Sequence, residues 1–321
     1  MKRRLRRCLR FRYDEADMES TLPEMRQAGL LVDTTYVYIS TDSVYEVCET
    51  CAASSVREID AVRPADQRLR RRKIKKDKYG DGKLSVEEYI ERFRSGLPSA
   101  RFFSLRLADV IGPYENTGRL WSLVLGLAKS DRIPFTIPVG NKALQPLNFT
   151  FSHDVSACIA RLLEEPSFPS CALNVACAET VSYAQLCAIV SSRLRSLGLL
   201  EGPPRFREGR GTLFPSVTRT SPLCMDRLYA LGVTPTPLRE AVEQSAEWFA
   251  ECTGRGLYQR EFAHVVAGLE RRLASAVWND VKLHPNRCGT GRDTPVLSSS
   301  SSSSDDSSSS DASDADGAAD I

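Results

Sequence analysis

Tyr79 and Lys83 stand four residues apart in the segment Tyr79-Gly80-Asp81-Gly82-Lys83. On a helix that spacing puts both side chains on one face, a turn apart. An ammonium so placed favours the phenolate and lowers the tyrosine pKa from its usual value of about 10. Such a tyrosine can exchange a proton with a substrate hydroxyl while hydride leaves the same carbon. Upstream, Ser40-Thr41-Asp42-Ser43-Val44-Tyr45 follows the run Tyr36-Val37-Tyr38-Ile39 and reads as a strand ending in a hydroxyl-rich turn. The Thr41 hydroxyl, at the end of that strand, can hold the same substrate oxygen. Together the three side chains make a coherent proton-transfer site for alcohol–ketone chemistry.

Other chemistries compete for these residues. Asp77, Asp81 and Glu88 fall at positions one, five and twelve of a calcium loop, with Gly82 at six and Leu84 at eight. Position three is Tyr79, a poor calcium ligand, and the preceding segment is densely positive. Cys48-Glu49-Thr50-Cys51 is a single CxxC, and a zinc site needs a second pair of comparable spacing. Ten cysteines scattered through a chain of ordinary size read as reduced thiols in the cytosol. The three histidines form no triad, and no metal site is expected.

The elements that must position the site follow from periodicity. A short helix over residues 15–29 ends at Gly29, and residues 35–39 are a strand. Residues 49–76 read as a loop with a short helix. Apolar residues Leu84, Val86, Tyr89, Ile90 and Phe93 mark a helix over residues 83–93. Strands follow at 101–107, 133–139, 147–151 and 172–176. Helices follow at 120–128, 155–163 (with Ser152-His153-Asp154 as its cap), 182–194, 225–231, 238–249 and 262–277. Ser182 is the expected N-cap of the third of these helices.

Charge is unevenly spread although the net is only +2. Residues 1–12 carry seven Lys or Arg, and residues 68–78 carry eight with one Asp. Without interleaved aromatics, the second run favours a solvated loop over a nucleic-acid surface. From Ser298 the chain is almost only Ser and Asp and is expected to be disordered. No apolar run approaches the ~20 residues that span a membrane, and a cytoplasmic location is expected.

Tyr-x-x-x-Lys occurs by chance in many proteins. Its order here, after Ser-Thr-Asp-Ser-Val-Tyr and before Arg106-Leu107-Ala108-Asp109-Val110-Ile111-Gly112-Pro113, resembles the extended short-chain dehydrogenase/reductase family of NAD-dependent epimerases and dehydratases. The resemblance runs from about residue 35 to 251 and includes Phe149-Thr150-Phe151-Ser152-His153-Asp154-Val155 and Leu173-Asn174-Val175. It implies catalytic roles for Thr41, Tyr79 and Lys83. It places NAD or NADP against Tyr79, Lys83, Ala108 and Val110, and a sugar or nucleotide-sugar substrate against Asp109 and, more weakly, Arg119.

The family opens with a strand and a glycine-rich loop that cradles the pyrophosphate. The first two glycines here are Gly29 and Gly80. The expected fold is therefore α/β, an incomplete Rossmann-like parallel sheet with flanking helices plus a smaller C-terminal substrate lobe. Expected boundaries are a basic segment and short helix at 1–34, the remainder of the cofactor domain at 35–129, the substrate lobe at 130–260, a helix and loop at 261–297, and the Ser/Asp tail at 298–321. An NAD(P)-dependent epimerase/dehydratase-like oxidoreductase, N-terminally truncated and incomplete or inactive as written, is the first reading. A non-catalytic binding protein on the same scaffold, RNA-associated through its basic segments, is the second. A calcium-binding regulator is the third.

Overall fold

The computed structural model describes residues 15–49, 54–130, 135–138, 145–209 and 222–272. The basic segment 1–12 and the Ser/Asp tail lie outside them. In chain order the first elements are α1 (Glu15–Gln27), β1 (Thr35–Thr41), a 3-10 turn (Asp42–Val47), a second short turn (Glu58–Asp60), α2 (Gln67–Lys76), α3 (Lys78–Arg94), β2 (Arg101–Leu107) and β3 (Asp109–Ile111). Then come α4 (Arg119–Ala128), β4 (Phe135–Pro138), β5 (Phe149–Phe151), α5 (Ser152–Glu164), β6 (Cys171–Val175), α6 (Tyr183–Ser196), β7 (Phe206–Gly209), α7 (Asp226–Ala230), α8 (Leu238–Arg255) and α9 (Gln259–Arg272).

β1, β2 and β6 form a parallel sheet in the order β1-β2-β6. Successive side chains of a strand point to opposite faces, and β2 separates cleanly on that rule. Phe103 and Leu105 pack with Cys158, Leu162 and Leu228 from α5 and α7. Phe102 joins Met18, Leu22 and Met25 of α1 and Val86 and Ile90 of α3 on the other side. The sheet is thus a middle layer between two layers of helices, and both of its faces are buried. The register Ser40↔Arg106 puts those two polar residues side by side across β1 and β2.

At Ala108 the chain leaves this sheet. β3 pairs in parallel with β5, and β4 with β7. A separate apolar cluster joins α4, α6, α8 and α9 around Trp121, Phe149, Phe151 and Phe249. Trp121 is stacked on Phe249 with ring centroids 5.1 Å apart.

Most sequence-derived elements recur with bounds shifted by a few residues. Ser182 caps α6 as expected: its hydroxyl accepts from Gln185 N, and the Gln185 side chain accepts from Ser182 N in return. Two expectations change. Asp154 does not cap α5, whose N-cap position is Phe151 with no side-chain bond. Its carboxylate instead accepts from Thr236 N (2.9 Å) and Thr236 Oγ1 (2.7 Å), tying α5 to the approach of α8. The short helix expected within residues 49–76 is α2, with Asp66 as its N-cap, and it takes in most of the basic run expected to be a solvated loop. Of the expected 262–277 helix, residues 273–277 lie outside the described residues, and so do residues 133–134 and 139 of the expected strand at 133–139.

Candidate active site

Parallel strands place ligand sites at their carboxyl ends. Thr41 closes β1, and across the sheet it faces Leu107, next to Ala108, Asp109 and Val110. Thr41 is buried, and its Oγ1 accepts a bond from Ser43 N at 3.2 Å, so its side chain caps the turn that follows.

Helix α3 lies against that turn, and Gly80 permits the approach. A Cβ at Gly80 would overlap the Ser43 carbonyl oxygen and stand 2.8 Å from its carbon. Asp77 caps the helix, accepting from Gly80 N at 2.8 Å. Tyr79 therefore occupies the first turn of α3 and is 53% exposed. One turn on, Lys83 is buried. Its Nζ donates to the Ile39 carbonyl at 2.8 Å and lies 4.9 Å from the Tyr38 ring centroid and 5.8 Å from that of Tyr79. Burial lowers the Lys83 pKa to about 8, with the Glu87 carboxylate acting the other way.

Glu87, one turn beyond Lys83, anchors a buried polar network. It accepts from Ser40 Oγ and takes a fork from Arg106, with Nη2 at 2.6 Å and Nε at 3.0 Å. Arg106 Nη1 reaches the Tyr45 hydroxyl at 3.0 Å and the Glu58 carbonyl at 2.8 Å. The Tyr45 hydroxyl donates to Asn174 Oδ1 at 2.6 Å, and Asn174 N donates to Glu58 Oε1 at 2.9 Å. Burial opposes the Arg106 charge, but the Glu87 carboxylate and Tyr45 hold its pKa above the ordinary value. Burial likewise pushes the Tyr45 phenol up.

The sequence points to Tyr45, Arg106 and Asn174 as parts of motifs, without their mutual contact. Glu87 is missed entirely, and its position four residues after Lys83 is the signal available. The network links α3, β1, β2 and β6 beneath the Thr41–Tyr79 edge.

Asp109 is buried, and its Oδ1 pairs with Arg119 Nη1. Its Oδ2 is buried without a hydrogen-bond partner among the described residues. Ala108 is buried and its N–H donates to Thr150 Oγ1 at 2.8 Å, whereas Val110 is half-buried. In the loop after β3, the exposed Tyr114 lies 5.5 Å from Trp248 and 6.0 Å from Tyr258, ring to ring. Both tyrosines have positive φ, at 68° and 52°, a conformation side chains rarely adopt.

The segment with calcium-loop spacing is helical from Lys78 onward. Two of its carboxylates bond one cation: Arg63 Nη1 meets Asp81, and Arg63 Nε meets Glu88 at 2.7 Å. Among the described residues no cluster of three or more metal-ligating side chains occurs. Cys48 is buried and donates to the Val44 carbonyl, and burial pushes its thiol up to about 12. Its CxxC partner Cys51 lies outside the described residues. No described helix is long and apolar enough to cross a membrane.

No family model matches the chain, and no curated protein matches it. Solved structures do. A UDP-galactose 4-epimerase matches at 22% identity over 72% of this chain and 66% of its own, with a TM-score of 0.51. The Thermus thermophilus UDP-glucose 4-epimerase in complex with NAD matches at 18% identity over 71% and 67%, with a TM-score of 0.54. RMD from Pseudomonas aeruginosa, complexed with NADPH, matches at 17% identity over 72% and 70%, with a TM-score of 0.52. The chain thus spans about two thirds of the length of these structures, and what it shares with them is the Rossmann-like α/β fold of the nucleotide-sugar epimerases.

Proposed function

We propose that the chain is the nicotinamide-side and substrate-binding part of an NAD(P)-dependent oxidoreductase of the epimerase/dehydratase type, a member of the extended short-chain dehydrogenase/reductase family. Its substrate is a sugar or nucleotide-sugar. The observation that carries this reading is the seating of α3 on the Thr41 turn through Gly80, with the Lys83 ammonium 5.8 Å from the Tyr79 ring. Three residues from two separate motifs are thereby gathered at the carboxyl end of β1, where a fold of this kind holds its ligands.

In this reading Tyr79 moves the proton of the substrate hydroxyl, and its exposure leaves it open to a ligand. Lys83 supplies the positive charge that favours the phenolate and is the residue that would hold the nicotinamide ribose. Thr41 holds the substrate oxygen. A nicotinamide, when bound, takes up and returns the hydride. Ala108 and Val110 flank that ring. The unpartnered Oδ2 of Asp109 takes a sugar hydroxyl, an acceptor that would otherwise be costly to bury. Arg119, held by Asp109, faces the substrate phosphates.

The residues described fit the nicotinamide end of the cofactor. They offer no glycine cradle for the pyrophosphate, so the chain's own grip on NAD or NADP is weak. Residues 35–129 form the cofactor side and 130–260 the substrate lobe.

The test is turnover of a panel of UDP-hexoses, followed by NMR, by a form of the protein that also carries a glycine-rich cofactor loop, with NAD or NADP raised to saturation. Tyr79→Phe should lower turnover about a hundred- to ten-thousand-fold, Thr41→Ser should be tolerated, and Thr41→Val should not. Tyr79→Phe turning over at the wild-type rate would overturn the assignment.

A further inference from the structure

Helix α2 holds seven Arg or Lys among its ten residues and buries none of them. Its environment divides by face. Leu69, Arg70, Lys73 and Ile74 are half-buried, and Lys73 Nζ reaches the Glu46 carbonyl at 3.4 Å. Arg68, Arg71, Arg72, Lys75 and Lys76 are exposed. Those five fall at the three- and four-residue intervals that line up on one side of a helix, so the outward side is a continuous cationic stripe. Among the described residues none of the five is in an ion pair. Like charges at these intervals disfavour an isolated helix. Here the Asp66 cap, accepting from Leu69 N at 2.6 Å, and the contact of Leu69 and Ile74 with the protein hold it in place.

We propose that the outer face of α2 binds the phosphate backbone of duplex RNA. The stripe has cations and nothing else to offer, and phosphate contacts need nothing else. A protein partner would call for aromatic or apolar residues at the centre of the contact, and the exposed side of α2 has none. A membrane surface is held stably when a basic patch is joined by an apolar face or a lipid chain, and Leu69 and Ile74, half-buried, are not on the exposed side. Single strands are gripped by aromatic stacking, and α2 carries no aromatic residue. Cations one helical turn apart are spaced by about 5.4 Å. A-form strands set their successive phosphates closer together than B-form strands do, nearer that step, and duplex RNA is recognised by such shape and backbone contacts.

Fluorescence anisotropy with a labelled RNA duplex of about 20 base pairs tests the proposal on the full chain. If about four phosphates are engaged, affinity should fall roughly a hundredfold as salt rises from about 50 to about 200 mM. A charge-reversed variant (Arg71→Glu, Arg72→Glu, Lys75→Glu, Lys76→Glu) should lose at least tenfold at the lower salt and flatten that dependence, while keeping the wild-type melting temperature. If it unfolds, Arg71→Gln with Arg72→Gln should still weaken binding and shallow the salt slope. In a control, Lys2, Arg3, Arg4, Arg6, Arg7, Arg10 and Arg12 all become Gln, and the α2-dependent part of binding should remain. Wild-type affinity in the folded α2 variants would overturn the proposal. So would equal or tighter binding to a DNA duplex, to single-stranded RNA or to phosphatidylserine vesicles.

Discussion

The Lys83 ammonium donates to the Ile39 carbonyl at 2.8 Å, and that bond ties the helix bearing Tyr79 to the strand that ends in Thr41. One turn away, Glu87 makes a second tie from the same helix to Ser40 of the same strand. The candidate site is therefore braced from below by two polar anchors and from the side by Gly80.

Gly80 and Gly82 provide a matched pair of substitutions. A Cβ at Gly80 meets backbone of Ser43, which cannot move aside as a side-chain tip could, whereas one at Gly82 meets nothing within 4 Å. Gly80→Ala should destabilise by about 1–3 kcal/mol, as overpacking does. Gly82→Ala, in the interior of α3, should stabilise by about 0.5–1 kcal/mol through helix propensity. Urea denaturation of both variants checks this, and equal effects of the same sign would argue against the packing described.

Arg106 and Glu87 are a buried ion pair with matched hydrogen bonds. Removing one partner strands a charge, so Arg106→Met alone should cost about 3–5 kcal/mol. Adding Glu87→Gln should return part of that loss, because no uncompensated carboxylate then remains. A double-mutant cycle in which the two losses simply add would show that the pair is not coupled.

Much of the fold is legible in local pattern. Residues 35–39 are β-branched and aromatic, residues 101–107 carry Phe102, Phe103, Leu105 and Leu107, and the apolar spacing after Lys83 fixes a helical face. The Tyr79–Lys83 relation needs only that helix. What pattern does not reveal is register. Ser40, Arg106 and Glu87 meet because β1 and β2 pair in one alignment and α3 crosses their shared face, and no single segment encodes that. Asp154 misleads for a related reason. An Asp before an apolar run signals a cap, and the same carboxylate serves equally well to bond a distant backbone N–H, here that of Thr236. For α2, the charge run obscures the weak apolar signal of Leu69 and Ile74.

The pH dependence of stability should expose the buried Lys83. Its pKa is lowered from 10.5 to about 8, chiefly by burial. Below about pH 8 the lysine is charged in both folded and unfolded chains, and its burial cost is fully present. Between about 8 and 10.5 the unfolded chain binds more protons than the folded one, so this group's contribution becomes more favourable as pH rises. The full cost relieved is on the order of 3 kcal/mol. Measured by urea denaturation, the stability of wild type relative to Lys83→Met should therefore improve by about 2 kcal/mol between about pH 7 and about pH 9.5. A constant gap would mean the lysine is solvated, and a gap that moves the other way would mean its charge is stabilised in the fold; either would contradict a pKa lowered by burial.

The most direct check on the site is which end of the cofactor the chain holds. Saturation-transfer difference NMR with millimolar NAD reads contact proton by proton. The nicotinamide and its ribose should give the strong signals and the adenine weak ones if Tyr79, Lys83, Ala108 and Val110 hold the cofactor as proposed, since the described residues include no glycine-rich phosphate cradle. Lys83→Met should reduce the nicotinamide signals, and nicotinamide mononucleotide should compete. Signals led by the adenine, or nicotinamide signals that persist unchanged in Lys83→Met, would contradict the placement of the cofactor at Tyr79 and Lys83.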